Sequence, residues 1–402
     1  MNPTLGLTAI QVRVGHPDFL DLPWSQPLSA WPDHCARLVQ VQRGLSRHDV
    51  VFASYDGVVY ALKEMAPHVV EREYALLIEL GRRRLPAVEP IGEVRARTPA
   101  GEGEERGVLI TRYLEASLPY RTLFMNRGLE RYRERLLDAM TSLLVRLHLT
   151  GFYWGDCSLS NTLFRRDAGE LQAFLVDAET SEFHDPLSTG LRRQDLMIME
   201  ENVTGELADL AVVVELPDAL GVYDTGANIR ERYERLWSEI TREETIPAGE
   251  SFRIHERIRA LNGLGFSVGD VELIPSSEGD HLRVRAIVTD RDYHRHLMHS
   301  LTGVVAGERQ AALLLNEISE LQAMMSRSID RSVPLSEAAY RWVDERFEPA
   351  VRKLGSLLGR AGDVSELYCQ VLEHKWYLSE RAQHDVGLDP AIDDYLQRFQ
   401  TV

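Results

Sequence analysis

The chain has 402 residues, 44% hydrophobic and 27% charged, with 45 basic against 62 acidic side chains and a formal net charge of −17. Such values fit a soluble chain of one to three domains and disfavour non-specific binding to nucleic acid or to an anionic membrane. Cys35, Cys157 and Cys369 are too scattered for a disulfide framework or a zinc site, so a reducing cytoplasm is expected. The first residues, MNPTLGLTAIQVRVGHPDF, lack a basic region followed by an apolar core and do not read as a signal peptide. Residues 1–65 then read as loops and short strands: QVRVG, LVQVQRG, DVVFASY and VVYALKEM. The last of these is entered through the turn-like Asp56-Gly57 and holds Lys63, the sole lysine before Lys353. A lysine on an apolar strand either directs its ammonium to an anion or polar cleft, or snorkels to solvent.

Residues 69–84, VVEREYALLIELGRRR, read as a helix with Tyr74, Leu77, Ile78 and Leu80 near one face and Arg82–Arg84 at the end where the dipole favours cations. GEVRARTPAGEGEERGVLITRYLEA reads as a hairpin around a mobile Gly/Glu loop at 100–107. The clearest helix is 128–150, where Leu129, Tyr132, Leu136, Met140, Leu143, Leu144 and Leu147 recur at helical spacing before Gly151. NTLFRR, the turn DAGE and LQAFLVDAE form a second hairpin. LADLAVVVEL is too short, and too charged through Asp209 and Glu215, to span a membrane. TREETIPAGES, at 241–251, reads as a boundary. Beyond it lie a helix at 253–261, the strands VGDVELI and HLRVRAIV, and several helices, which together suggest a second, α+β domain. His294, His296 and His299 have no cysteine or carboxylate at a standard ligand spacing, and ERQAALLLNEISELQAMM reads as a core-facing stripe.

The chemistry lies in LHLTGFYWGDCSLSNTLF, residues 147–164, where Asp156 and Asn161 sit in a short loop between a helix and a strand. Phosphoryl transfer needs a lysine on the phosphates, a carboxylate and an amide for magnesium, and a carboxylate for the acceptor proton. In chain order these parts are Lys63, a helix bearing Glu73, the strand VLITRYLEA, a long helix, Asp156 with Asn161, and a hairpin strand ending at Asp177. Singly, such residues are also common turn and cap formers.

Together they resemble the protein-kinase-like superfamily, which includes aminoglycoside, choline, lipopolysaccharide and RIO-type kinases. LHLTGFYWGDCSLSN is similar to L-H-x-x-G-x-x-H-x-D-x-x-x-x-N, with Trp154 where histidine is usual, and the likeness spans about residues 45–215. An uncharacterised bacterial family that adds a C-terminal domain of unknown function is also suspected. The resemblance implies an α+β, two-lobed fold: an N-lobe with a leading segment at 1–114, a C-lobe at 115–245, and a smaller α+β domain at 250–402. It also implies ATP and magnesium as cofactors. Asp156 would receive the acceptor proton, and Asn161 and Asp177 would hold magnesium. Lys63 would contact the phosphates, positioned by Glu73, although Glu71 competes for that place. Backbone near Arg112 and Leu114 would meet adenine, and Glu179 could approach a second metal. No G-x-G-x-x-G precedes Lys63, Ser158 stands where a lysine is usual, and no A-P-E element follows Asp177. These departures argue against ordinary peptide phosphorylation. Three readings follow. The chain is a kinase acting on a hydroxyl of an unidentified small molecule or atypical protein target, or a nucleotide-binding pseudokinase engaging a protein partner through residues 250–402, or an interaction protein with no nucleotide site. None involves nucleic acid or membrane insertion.

Overall fold

The computed structural model describes residues 6–41, 47–97, 105–125, 131–214, 221–242, 244–247, 252–264, 266–275, 281–290, 292–329, 331–355, 357 and 363–399. The chain divides into two compact units: Met1–Arg165 with Gln172–Glu234, and Arg166–Leu171 with Arg235–Val402. It is an α+β protein whose start is rich in antiparallel sheet and whose later part is largely helical.

The first unit opens on a five-stranded antiparallel sheet. Its strands are β1 (Leu7–Val12), β2 (Val50–Tyr55), β3 (Val58–Met65), β4 (Pro90–Ala96) and β5 (Arg106–Arg112), in the order β1-β4-β5-β3-β2. Local sequence fixes the β2–β3 register. Asp56 and Gly57 both have positive φ, 49° and 81°, as a two-residue type I′ hairpin turn requires, and this sets Lys63 opposite Val50. Alternation does the rest, because successive side chains leave a strand on opposite faces. Tyr60, Leu62, Val108 and Ile110 point into one apolar cluster, while Ala61, Lys63, Leu109 and Thr111 line a cleft on the other face.

The apolar cluster is completed by Phe19, Trp24, Leu28 and Trp31, all fully buried and supplied by an irregular segment with a 3-10 turn at Leu28–Asp33. Arg106 of β5 holds that segment by donating to the carbonyls of Gln26 and Trp24 and to Glu64. LVQVQRG, expected to contribute a strand, gives only a bridge from Leu38 to Ala53, and its last residues lie outside the described ones. Helix α1 (Pro67–Arg82) buries Val70, Glu73, Tyr74, Leu77 and Leu80 at helical spacing. Gly107 lets it approach β5, since a Cβ there would lie 2.8 Å from Pro67 Cα.

The remainder of this unit is built on helices: α2 (Tyr120–Met125), α3 (Arg131–Leu149), α4 (Thr189–Ala211) and the start of α5 (Thr225–Thr241). Leu136, Met140, Leu143 and Leu147 from α3 are buried, as are Leu196, Met199, Val203 and Leu207 from α4. Leu129 and the first residues of the expected 128–150 helix lie outside the described residues. Short strands β6 (Ser117–Pro119), β8 (Thr162–Asp167) and β9 (Glu170–Leu175) form one sheet, and β7 (Phe152–Tyr153) pairs with β10 (Glu182–Phe183).

The second unit holds a three-stranded antiparallel sheet of β11 (Glu244–Pro247), β12 (Ser267–Pro275) and β13 (His281–Asp290), with α6 (Phe252–Gly263). Strand β11 falls within the stretch that read as a boundary, and the division between units falls earlier, inside α5. The helices α7 (Tyr293–Thr302), α8 (Glu308–Ser328), α9 (Leu335–Trp342), α10 (Glu348–Lys353), α11 (Val364–Ala382) and α12 (Leu388–Phe399) follow. Their core includes Leu314, Ile318, Trp342, Tyr368 and Ile392, so the ERQAALLLNEISELQAMM stripe does pack inward. Of the Gly/Glu loop expected at 100–107, residues 100–104 lie outside the described ones. No helix among the described residues is long and apolar enough to cross a membrane.

One buried acid of this unit has a measurable consequence. Asp167, in the Arg166–Leu171 segment, accepts from the backbone N–H groups of Arg309 and Gln310 at 3.1 and 2.9 Å and so caps α8. Burial pushes its carboxyl up to about 6, against the pull of those two donors. A raised carboxyl binds its proton more tightly in the folded than in the unfolded chain. Its charge therefore costs stability above pH 6, and the cost is relieved as pH falls from about 6 towards the ordinary value of 3.8. Urea unfolding at pH 7 and pH 5 is expected to show a favourable contribution on acidification in the wild type that is smaller in Asp167→Asn. Equal pH dependence in the two proteins would contradict it.

Candidate active site

Lys63 projects from β3 into the cleft, where its ammonium meets three acids. Nζ lies 2.6 Å from Asp177 Oδ2, 3.2 Å from Glu73 Oε2 and 3.9 Å from Glu179 Oε2. Burial opposes its charge, but Glu73, Asp177 and Glu179 outweigh that and hold the ammonium above its ordinary value. Glu73 is fully buried. Burial and the neighbouring Asp177 push its carboxyl up to about 7, against the pull of Lys63 and of the Ala178 N–H that it accepts at 3.1 Å. Glu71, the competitor, points elsewhere and pairs with Arg95 at 3.0 Å. Helical spacing explains the difference: Glu73 sits three residues after Val70 and four before Leu77, inside the buried stripe.

The loop after α3 is held by groups that the local pattern does not announce. Gly151 has φ 82°, and a Cβ there would lie 1.9 Å from the His184 carbonyl, so no other residue fits without rearrangement. Asp195 of α4 accepts from Trp154 N at 2.8 Å and Gly155 N at 2.9 Å, and its Oδ2 is 3.0 Å from His148 Nε2. His148 Nδ1 in turn meets Tyr233 OH at 2.8 Å. Glu206, also on α4, accepts from Leu159 N and Ser160 N at 2.7 and 2.9 Å. Burial raises its carboxyl despite those donors. Asp156 itself accepts from Asn161 Nδ2 and Asn202 Nδ2, each at 3.0 Å. Trp154 fills the position where the resemblance expects histidine, and its indole N–H donates to the Asp177 carbonyl at 3.0 Å.

Sequence reasoning missed Asn202 and Glu206, and gave Asp195 no role. A signal exists: they fall at i, i+7 and i+11 on α4, beside the buried stripe of Leu196, Met199, Val203 and Leu207. Polar side chains bordering an apolar stripe at helical spacing mark a face turned towards something polar. His48, just before β2, was also missed; its Nε2 lies 3.1 Å from Glu179 Oε2.

The structure brings Lys63, Arg112, Leu114, Asp156, Asn161, Asp177 and Glu179 to one cleft of about 270 Å³, with Glu73 beneath Lys63. Val50, Val88, Leu109 and Leu163 give the cleft apolar walls, the usual lining of a small-molecule site. Among the described residues no group of three or more His, Cys, Asp or Glu is placed to hold a metal ion. Asn161 and Asp177 still fit a hard cation. The Asn161 amide nitrogen is committed to the backbone and carboxylate oxygens of Asp156, so the oxygen is the amide atom left to serve a cation, and Asp177 lines the same cleft.

The sequence model of the lipopolysaccharide kinase (Kdo/WaaP) family matches residues 59–213, and that of a domain of unknown function (DUF4032) matches residues 235–399. No curated protein shows significant similarity to the chain. Similar solved structures include WaaP in complex with acyl carrier protein, at 13% identity over 64% of this chain and 94% of that one, TM-score 0.36. Another is an aminoglycoside-3′-phosphotransferase of type VIII, at 15% identity over 50% of this chain and 86% of that one, TM-score 0.35. The family match supports a kinase, that is a phosphotransferase, activity. Residues 59–213 therefore belong to a protein-kinase-like region, followed at 235–399 by a domain of unknown function.

Proposed function

We propose that the protein transfers the terminal phosphoryl group of ATP, with magnesium, to a hydroxyl of a small molecule or an atypical protein target. The observation that carries this reading is the convergence in one cleft of a Lys63–Glu73 pair, an Asp177 carboxylate 2.6 Å from the same ammonium, and Asp156 fixed between two amides. Lys63 neutralises phosphate charge. Asn161 and Asp177 would hold magnesium, which when bound neutralises charge on the phosphate oxygens. Arg112 and Leu114 contribute backbone to the adenine end. Asp156 takes the acceptor proton as the hydroxyl oxygen bonds to the γ-phosphorus and the bond to the ADP oxygen breaks.

A pseudokinase would not need Asp156 so firmly aimed. Both its carboxylate oxygens are held, by Asn161 and Asn202, which fixes its direction in the cleft. Nucleotide binding is tested by calorimetry with Mg-ATP on the wild type and two variants. Lys63→Met is expected to weaken ATP binding by about tenfold or more while the fold is retained, because the phosphates lose their cation and face the Asp177 and Glu179 carboxylates unneutralised. Lys63→Arg is expected to be impaired as well, since a planar guanidinium cannot occupy the place of a compact ammonium 2.6 Å from Asp177. Wild-type affinity in both variants, or no ATP binding by the wild type, would remove the basis for this function.

A further inference from the structure

Lys63 is not the sole side-chain donor placed to meet the phosphates of a nucleotide in this cleft. Its ammonium already faces Glu73, Asp177 and Glu179, so much of its charge is taken up before any phosphate enters. A second donor is present. His48 lies two residues before Val50, which pairs with Lys63 across the β2–β3 ladder, and its side chain lines the same cleft. His48 Nε2 and Lys63 Nζ converge on one atom, Glu179 Oε2, at 3.1 and 3.9 Å. A carboxylate oxygen thus rests between an imidazole nitrogen and an ammonium, the placement that an anionic phosphate oxygen would take. The His48 and Glu179 side chains keep 29% and 25% exposure, which leaves both room to turn.

We propose that His48 is a phosphate-binding residue of this cleft, with Glu179 standing in for a phosphate oxygen between His48 and Lys63 until nucleotide arrives. This rests on the nucleotide-binding reading above and deepens it. Nucleotide phosphate displaces the Glu179 carboxylate from the imidazole and the ammonium. A side-chain donor on the segment before β2 replaces the grip that a G-x-G-x-x-G backbone provides elsewhere, and it explains how a chain lacking that pattern before Lys63 can hold phosphate.

The test is calorimetric titration of Mg-ATP and of adenosine, which shares the base and sugar but has no phosphate, into full-length wild type, His48→Ala and His48→Gln. His48→Ala should weaken Mg-ATP by about tenfold, the scale of one charge-assisted hydrogen bond, and leave adenosine unchanged. His48→Gln, which carries an N–H donor to about the reach of Nε2, should recover most of the loss. Three results would overturn the proposal while leaving the cleft a nucleotide site: unchanged ATP affinity in His48→Ala, tighter ATP binding there (His48 then merely occupies Glu179), or an equal loss for adenosine. Wild-type protein that binds neither ligand would bring down both this proposal and the functional reading beneath it.

Discussion

Replacing Asp156 by asparagine is expected to lower turnover by about a hundredfold or more, the usual scale for losing a general base, while Mg-ATP affinity stays near wild type. The substitution keeps size but removes the charge and the capacity to accept a proton. It also removes one acceptor. Asp156 now takes an amide N–H from Asn161 on one oxygen and from Asn202 on the other, and an asparagine can accept on only one. The Asn161 amide retains its second bond, to the Asp156 backbone carbonyl, so the cation-binding side of the loop should hold its place. Asp177→Asn is expected to behave differently. It deletes the carboxylate closest to Lys63, at 2.6 Å, and a donor suited to a hard cation, so affinity and turnover should fall together. Repulsion between Asp177 and buried Glu73 is relieved by the same change, which limits the cost to stability. Steady-state ATP turnover and calorimetry on both variants check the split. An Asp156→Asn enzyme within about tenfold of wild-type turnover would show that another group handles the proton.

The parts of this site that are local in the chain were legible in the sequence. Lys63, Asp156, Asn161 and Asp177 each sit at a fixed offset from a strand or helix end, and strand alternation alone sends Lys63 and Leu109 to the same face. Apolar residues three and four places after Glu73 favour it over Glu71 in the sequence, and the buried stripe of α1 includes Glu73 and leaves Glu71 outside. The tertiary parts were not legible. Asn202 and Glu206 reach the loop from more than forty residues downstream, and nothing near them in the chain signals what they meet. The segment carrying Phe19, Trp24 and Trp31 covers a whole sheet face with hardly any regular structure, so it has no period to read. Its burial depends on Arg106 satisfying the Trp24 and Gln26 carbonyls from the neighbouring strand.

Asp195 carries the other large expected effect, because it links the core of the first unit to the direction of Asp156. Its side chain has no exposure, and it accepts from two backbone N–H groups of the loop and contacts His148. Asp195→Ala would leave the Trp154 and Gly155 N–H groups without this acceptor, each costing about 1–3 kcal/mol, or about 2–6 kcal/mol together. Asp195→Asn presents one acceptor oxygen where two now serve, so it should fall between wild type and alanine in a urea-unfolding series. Stability alone would not separate a structural role from a positioning one. Leu143→Ala supplies the control: Leu143 is buried in α3, its truncation costs a comparable 2–5 kcal/mol or so, and it bonds to nothing in the loop. Assayed well below all melting temperatures, Leu143→Ala should keep near-wild-type turnover. Asp195→Asn should lose it, with ATP affinity largely retained, because Gly155 in its left-handed conformation, φ 79°, is the residue that turns the chain into Asp156. Equal turnover in the two variants would mean that Asp195 stabilises the unit without setting the angle of the base.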